Sequence, residues 1–145
     1  MSLEGRYDTD NIFARIVRGE MPSARVYEDE DVLVIMDAYP QAEGHTLVIP
    51  KAPSRTLLDA DPDSLGVLFG HVRRVGRAIA AALQPDGVIV TQFNGAAAGQ
   101  TVFHLHVHLI PRWQGRTLER HAGGGMADAG DLAGLATRIA AELDG

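Results

Sequence analysis

The stretch Phe103-His104-Leu105-His106-Val107-His108-Leu109-Ile110-Pro111-Arg112 decides the reading of this chain. Three histidines alternate with three aliphatic residues. Successive side chains of a β-strand point to opposite faces. A strand here turns all three imidazoles to one side and Leu105, Val107 and Leu109 to the other. The aliphatic side can anchor on a core. The imidazole side then presents three nitrogen bases on a rigid support, able to attack an electrophile, shuttle protons or hold an anion.

Working outward, the loop Asn94-Gly95-Ala96-Ala97-Ala98-Gly99-Gln100 leads into this row from a strand at Val88–Phe93. Further upstream, Val32–Met36 is a continuous apolar run, which predicts a strand covered on both faces. Asp37-Ala38-Tyr39-Pro40 breaks it, and His45–Ile49 reads as the next strand, stopped by Pro50. Ala24–Glu28 is a shorter strand ahead of both. Three helices complete the pattern. Asp10 is expected to cap a short one carrying Ile12, Phe13, Ile16 and Val17 on one face, with Gly19 at its end. Asp61 and Pro62 open a long one, whose stripe of Leu65, Leu68, Phe69, Val72, Val75, Ile79 and Leu83 recurs at spacings of three and four. A last helix, with Leu132, Leu135, Ile139 and Leu143, follows Gly123-Gly124-Gly125. Helices segregated from hairpin-linked strands predict an α+β fold with an antiparallel sheet rather than a parallel one.

The chain has 145 residues, 46% hydrophobic and 22% charged. That composition is enough for one domain spanning residues 1–145, with a core that needs no staples. There is no cysteine, which removes disulfides and thiolate metal sites. The net charge is -6 and no basic stripe exists, so nucleic acid is not an expected partner. An anionic substrate would have to be held locally against that field. No stretch reaches the roughly 18 apolar residues of a membrane span. The N-terminus lacks the apolar run of a signal peptide. The expectation is a soluble, cytoplasmic protein that touches no membrane.

Packing gains nothing from a row of imidazoles, which bury poorly without partners. The plain reading is a polar, solvated strand face; beside it stand two chemistries. A metal could take two of the histidines with His45 as a remote ligand. All three on one ion is awkward, because His104 and His108 lie roughly 13 Å apart along a strand. Alternatively, a neutral imidazole can attack phosphorus and form a covalent intermediate, its far nitrogen fixed by a hydrogen bond. The glycine-rich loop directly before the row suits the second reading, because glycine lets backbone N–H groups approach phosphate. Asn94, Gln100 and Thr101 add neutral donors.

The segment Gly99-Gln100-Thr101-Val102-Phe103-His104-Leu105-His106-Val107-His108-Leu109-Ile110-Pro111 resembles the signature of the histidine triad (HIT) superfamily of nucleotide hydrolases and transferases. Ile12–Ile16, Tyr27-Glu28-Asp29, Asp37–Gln41 and Gly44–Lys51 match as well, so the resemblance covers about residues 10–113, with a loop and helix over about 114–145. It implies a five-stranded antiparallel sheet with flanking helices, pairing into a homodimer. It also implies roles. His106 would be the nucleophile on the α-phosphate of a purine nucleotide, and His108 would contact phosphate and assist the leaving group. His104 would support the site and His45 would stand nearby. Asp37 would take the ribose hydroxyls, Ile12, Phe13 and Ile16 would form part of the nucleobase wall, and Asn94, Gly99, Gln100 and Thr101 would hold phosphate. No cofactor is implied. Several bacterial members carry a Cys-x-x-Cys zinc site in the first helix. Here those positions are Asn11 and Ala14, and a further histidine expected near Lys51 is replaced by Pro53, so no structural zinc is expected. Thr101 stands where many purine phosphoramidases have serine, with the hydroxyl retained. His71 is expected on the helix surface and His121 in a loop. A nucleophile that must be unprotonated, at the ordinary histidine pKa near 6.5, predicts activity falling below about pH 6.

Overall fold

Five strands form one antiparallel sheet in the spatial order β1-β2-β3-β5-β4, with β1 Arg25–Glu28, β2 Val32–Met36, β3 Thr46–Pro50, β4 Gly87–Thr91 and β5 Val107–Arg112. Helices α1 (Ile12–Val17), α2 (Pro62–Leu83) and α3 (Ala129–Ala140) flank it. The computed structural model describes residues 3–118 and 125–143, so His121, Gly123 and Gly124 lie outside the described residues. The α+β architecture expected from the strand and helix pattern is the observed one. Among the described residues, no helix is long and apolar enough to cross a membrane.

Strand alternation sorts the interior into two layers. Val32, Val34 and Met36 of β2, Val48 of β3, and Val107 and Leu109 of β5 join the core under α2 and α3. Leu33, Ile35, Leu47 and Ile49 face the other way and pack with Phe13 and Ile16 of α1. Every residue of β2 is therefore buried, as its unbroken apolar run implies. Full burial of such aliphatic side chains contributes about 1.5–3 kcal/mol each.

The α2 helix starts where Asp61 and Pro62 place it, with Asp61 accepting the Asp63 N–H at 3.0 Å. Its buried stripe is Leu68, Val72, Val75, Ala78 and Ile79, with Leu65 and Leu83 packed at the margin. Phe69 departs from the expected stripe and is 40% exposed. It lies one residue, about 100° of helix rotation, past Leu68. In α1 the cap is Asn11, whose side chain accepts the Ala14 N–H at 2.9 Å, and not Asp10, whose own N–H turns back to Asp8. Phe13 and Ile16 are buried while Ile12 is 43% exposed. In α3, capped by Asp128, Leu132 and Ile139 are buried, and Leu135 and Leu143 are half-buried against the same core.

Strand ends shift for local reasons. β3 runs through Pro50, which pairs with Val32; a proline at the last position of a strand forfeits only one donor. β4 ends at Thr91 rather than Phe93, and just beyond it Gln92 and Asn94 pair their side-chain amides with each other. β5 begins only at Val107, so His104 and His106 lie on the approach to the strand and only His108 is on it. The Leu105 N–H goes to Ser54, and the His104 carbonyl is taken by the His106 ring, so neither group is available to a sheet ladder. Leu105 still joins Val107 and Leu109 in one core.

Candidate active site

The sheet parity that puts Leu33, Ile35, Leu47 and Ile49 on the α1 face carries Asp37 and His45 to that face one step past the strand ends. His108 stands directly opposite Leu47 and joins them. The three side chains meet there, all buried. His45 Nε2 lies 2.9 Å from His108 Nδ1 and 3.4 Å from Asp37 Oδ2. The Gln41 backbone N–H donates to His45 Nδ1 at 3.0 Å.

That last bond sets the tautomers of the whole relay. A backbone N–H can only donate, so Nδ1 of His45 is an acceptor and the proton of its neutral ring is on Nε2. This Nε2–H points at His108 Nδ1, which must then accept. The neutral His108 ring consequently carries its proton on Nε2, the nitrogen turned away from the relay. Asp37 Oδ1 also accepts the Tyr39 N–H at 2.8 Å, which holds the carboxylate in its turn.

His106 is oriented by the opposite logic. Its Nδ1 is 2.6 Å from the carbonyl oxygen of His104. A carbonyl can only accept, so Nδ1 is protonated and the basic lone pair is on Nε2. The ring packs edge-on against Phe13, centroids 4.7 Å apart, and beside His108 at 4.9 Å. Phe93 closes the far side of His108 at 5.4 Å. The two neighbouring imidazoles thus present complementary Nε2 atoms, one basic and one bearing a proton.

His104 is a structural member of the row. Its Nε2 donates to the Pro50 carbonyl at 2.7 Å, and its Nδ1 accepts from the Tyr7 hydroxyl at 2.6 Å. Burial holds its pKa below the ordinary 6.5, opposed by the bond to Pro50. Asp37, His45, His108 and His106 are thereby brought together, and His104 touches them through its carbonyl, which the His106 ring bonds.

The loop residues divide. Gly95 and Gly99 adopt positive φ angles of 90° and 103° around the turn Ala96–Ala98, backbone that favours glycine. Gly99 and Thr101 are exposed. Gln100 is buried and its amide closes the loop, accepting from Gly95 N–H at 2.8 Å and donating to the carbonyls of Arg55 at 2.7 Å and Val102 at 3.0 Å. Asn94 accepts from the Leu57 N–H at 2.8 Å and pairs with Gln92. From α1, Phe13 packs on His106, Ile16 is buried in the core of that face, and Ile12 is exposed. His71, on α2, is half-buried, with Nε2 3.3 Å from Asp29 Oδ2 and its ring over Tyr27. Tyr7 and the Gln41 N–H are the site groups that sequence reasoning missed. Tyr7 belongs to no periodic element, and a backbone N–H has no residue-type signature.

The HIT domain pattern matches residues 18–115, and the chain belongs to the HIT domain family. It is 39% identical over 119 residues to adenylylsulfatase HINT3 of Arabidopsis thaliana, covering 78% of this chain and 60% of that protein. The chain thus spans somewhat less than two thirds of that relative. It is 42% identical over 102 residues to the protein hit of Bacillus subtilis, covering 70% of each. Its structure resembles a HIT-like protein from Bartonella henselae, involved in cell-cycle regulation, with a TM-score of 0.91, 48% identity, and coverage of 95% of this chain and 99% of that one.

Proposed function

We propose that this protein is a nucleotidyl hydrolase acting on nucleoside 5′-phosphoramidates or related mixed anhydrides. The observation that carries the reading is the His106 Nδ1 bond to the His104 carbonyl, which leaves the lone pair on Nε2 beside a His108 that bears its proton on Nε2. His106 Nε2 forms a bond to the α-phosphorus as the bond from phosphorus to the leaving atom breaks, its electron pair departing with that atom. His108 Nε2–H donates to the leaving atom. Water then displaces His106, releases the nucleoside monophosphate and restores the proton. No metal is needed for these steps. The purine would lie against Ile12, Phe13 and Ile16, with the ribose near Asp37. Phosphate oxygens would meet the loop containing Asn94, Gly99, Gln100 and Thr101. In that role Gln100 acts by shaping the loop, since its amide is engaged within it.

The resemblance to an adenylylsulfatase favours a mixed phosphate–sulfate anhydride as one substrate class. A dinucleoside polyphosphate hydrolase is the second reading. The same proposal includes a homodimer, supported by the sheet ending at β4, an open edge on which Val90 is 51% exposed.

The test is release of adenosine monophosphate from adenosine 5′-phosphoramidate by the wild type and by His106→Ala, with a chelator present throughout. The wild type should turn over. His106→Ala should lose at least about 10³-fold in kcat while still binding adenosine monophosphate. A variant keeping more than a tenth of the activity would overturn the nucleophile assignment. Nucleotide binding by a wild type that forms no covalent intermediate would point instead to a binding or scaffold role.

A further inference from the structure

Arg55 is 1% exposed and ranks among the most deeply buried large side chains of the molecule. Its guanidinium is charged at any physiological pH. Nη1 donates to the Leu3 carbonyl at 3.3 Å, and the group lies over the Phe103 ring at 5.0 Å from its centroid. Nε and Nη2 are buried and have no hydrogen-bond partner among the described residues. These two nitrogens make up the side-on edge of the guanidinium, whose parallel N–H bonds match two oxygens of an oxyanion.

A buried cation with unmade donors is costly, and an aromatic face offsets only part of that cost. The carboxylate nearest in sequence, Asp59, is committed elsewhere, accepting the backbone N–H groups of Arg55 at 3.2 Å and Thr56 at 2.8 Å. The surroundings are shaped around the guanidinium. A Cβ at Gly5 would stand 3.0 Å from Nη1 and 3.1 Å from Cζ, so any side chain at residue 5 would press on the guanidinium. Gln100 ties the Arg55 carbonyl to the loop that precedes the histidine row.

We propose that the Nε–Nη2 edge of Arg55, under Leu3–Gly5 and over Phe103, is a binding site for a phosphate-class oxyanion. In a chain of net charge -6, it is a buried cation on a residue whose backbone carbonyl Gln100 ties to the loop where phosphate would be handled. The inference does not depend on the chemistry of His106.

The experiment titrates inorganic phosphate, at constant ionic strength, into full-length protein with 15N-labelled arginine, and follows the Nε–H resonances together with Tm. One resonance, absent from Arg55→Lys and Arg55→Met, should move and saturate, and Tm should rise. Arg55→Lys should bind at least about 10-fold more weakly, because a point charge lacks the fork. No moving arginine resonance at millimolar phosphate would overturn the proposal. So would an equal rise of Tm in Arg55→Lys. Should Arg55→Met fail to fold, the wild-type resonance and Arg55→Lys decide. A repeat on protein saturated with adenosine monophosphate separates two sources of the anion. A persisting shift assigns a free oxyanion, and a lost one assigns the phosphate of the nucleotide; both support the site. Because the readout is binding, it stands or falls separately from the nucleotidyl hydrolase reading.

Discussion

The tautomers of His45, His104 and His106 are fixed by partners that can play only one part, and that of His108 follows from His45. The His104 carbonyl forces a proton onto His106 Nδ1, and the Gln41 N–H forces one onto His45 Nε2. His108→Ala should therefore lower kcat by about 10²-fold or more, the usual worth of a positioned proton donor. His45→Ala keeps the His108 ring but removes the donor to its Nδ1, and should give a smaller loss in single-turnover rate. An effect of His45→Ala equal to or larger than that of His108→Ala would refute the relay. His104 yields a stability prediction. Its folded pKa is lowered by burial from the ordinary 6.5, so below about pH 6.5 the unfolded chain takes up a proton that the folded chain resists, and stability drains as pH falls. Thermal unfolding between pH 7.5 and 5 should show a steeper decline for the wild type than for His104→Gln. Parallel slopes would contradict this.

At the scale of elements, the link between β2 and β3 carries much of the site, and one glycine holds its shape. Gly44 has φ +87°, and a Cβ there would come within 2.4 Å of Leu83 Cδ1 and 3.1 Å of the Pro111 ring. Gly44→Ala should cost about 1–3 kcal/mol in urea unfolding, and it should lower activity as well, because residue 45 follows directly. A variant as stable as the wild type would show that the turn can relax. Element types were readable because alternation and helical spacing are local properties. Ends were less so. The strand at Val107 starts late because the His104 carbonyl bonds a side chain, and the α1 cap falls on Asn11 because Asp10 bonds back to Asp8. Which polar group wins a backbone partner depends on neighbours that periodicity does not describe.

At the scale of the whole molecule, the sheet is covered on one face by α2 and α3 and partly on the other by α1, the face that also carries Asp37, His45 and His108. The sheet leaves β4 as an edge. If that edge pairs with a second copy, sedimentation should give twice the monomer mass. Val90→Lys, placing a charge on the exposed edge, should then shift the protein toward monomer; an unchanged mass would move the interface elsewhere. By itself, the sequence determined the α+β class, the two-faced β2 strand, the histidine row, and the place of Asp37 and His45 at strand ends. Each follows from period 2, period 3.6 or turn chemistry within a short window. Only the tertiary structure decided which nitrogens carry protons, that Gln100 closes a loop, that Tyr7 caps His104, and that Arg55 is buried with half its fork unmatched. Those outcomes rest on hydrogen bonds and burial between residues far apart in the chain, such as Tyr7 and His104, and no local pattern encodes such distances.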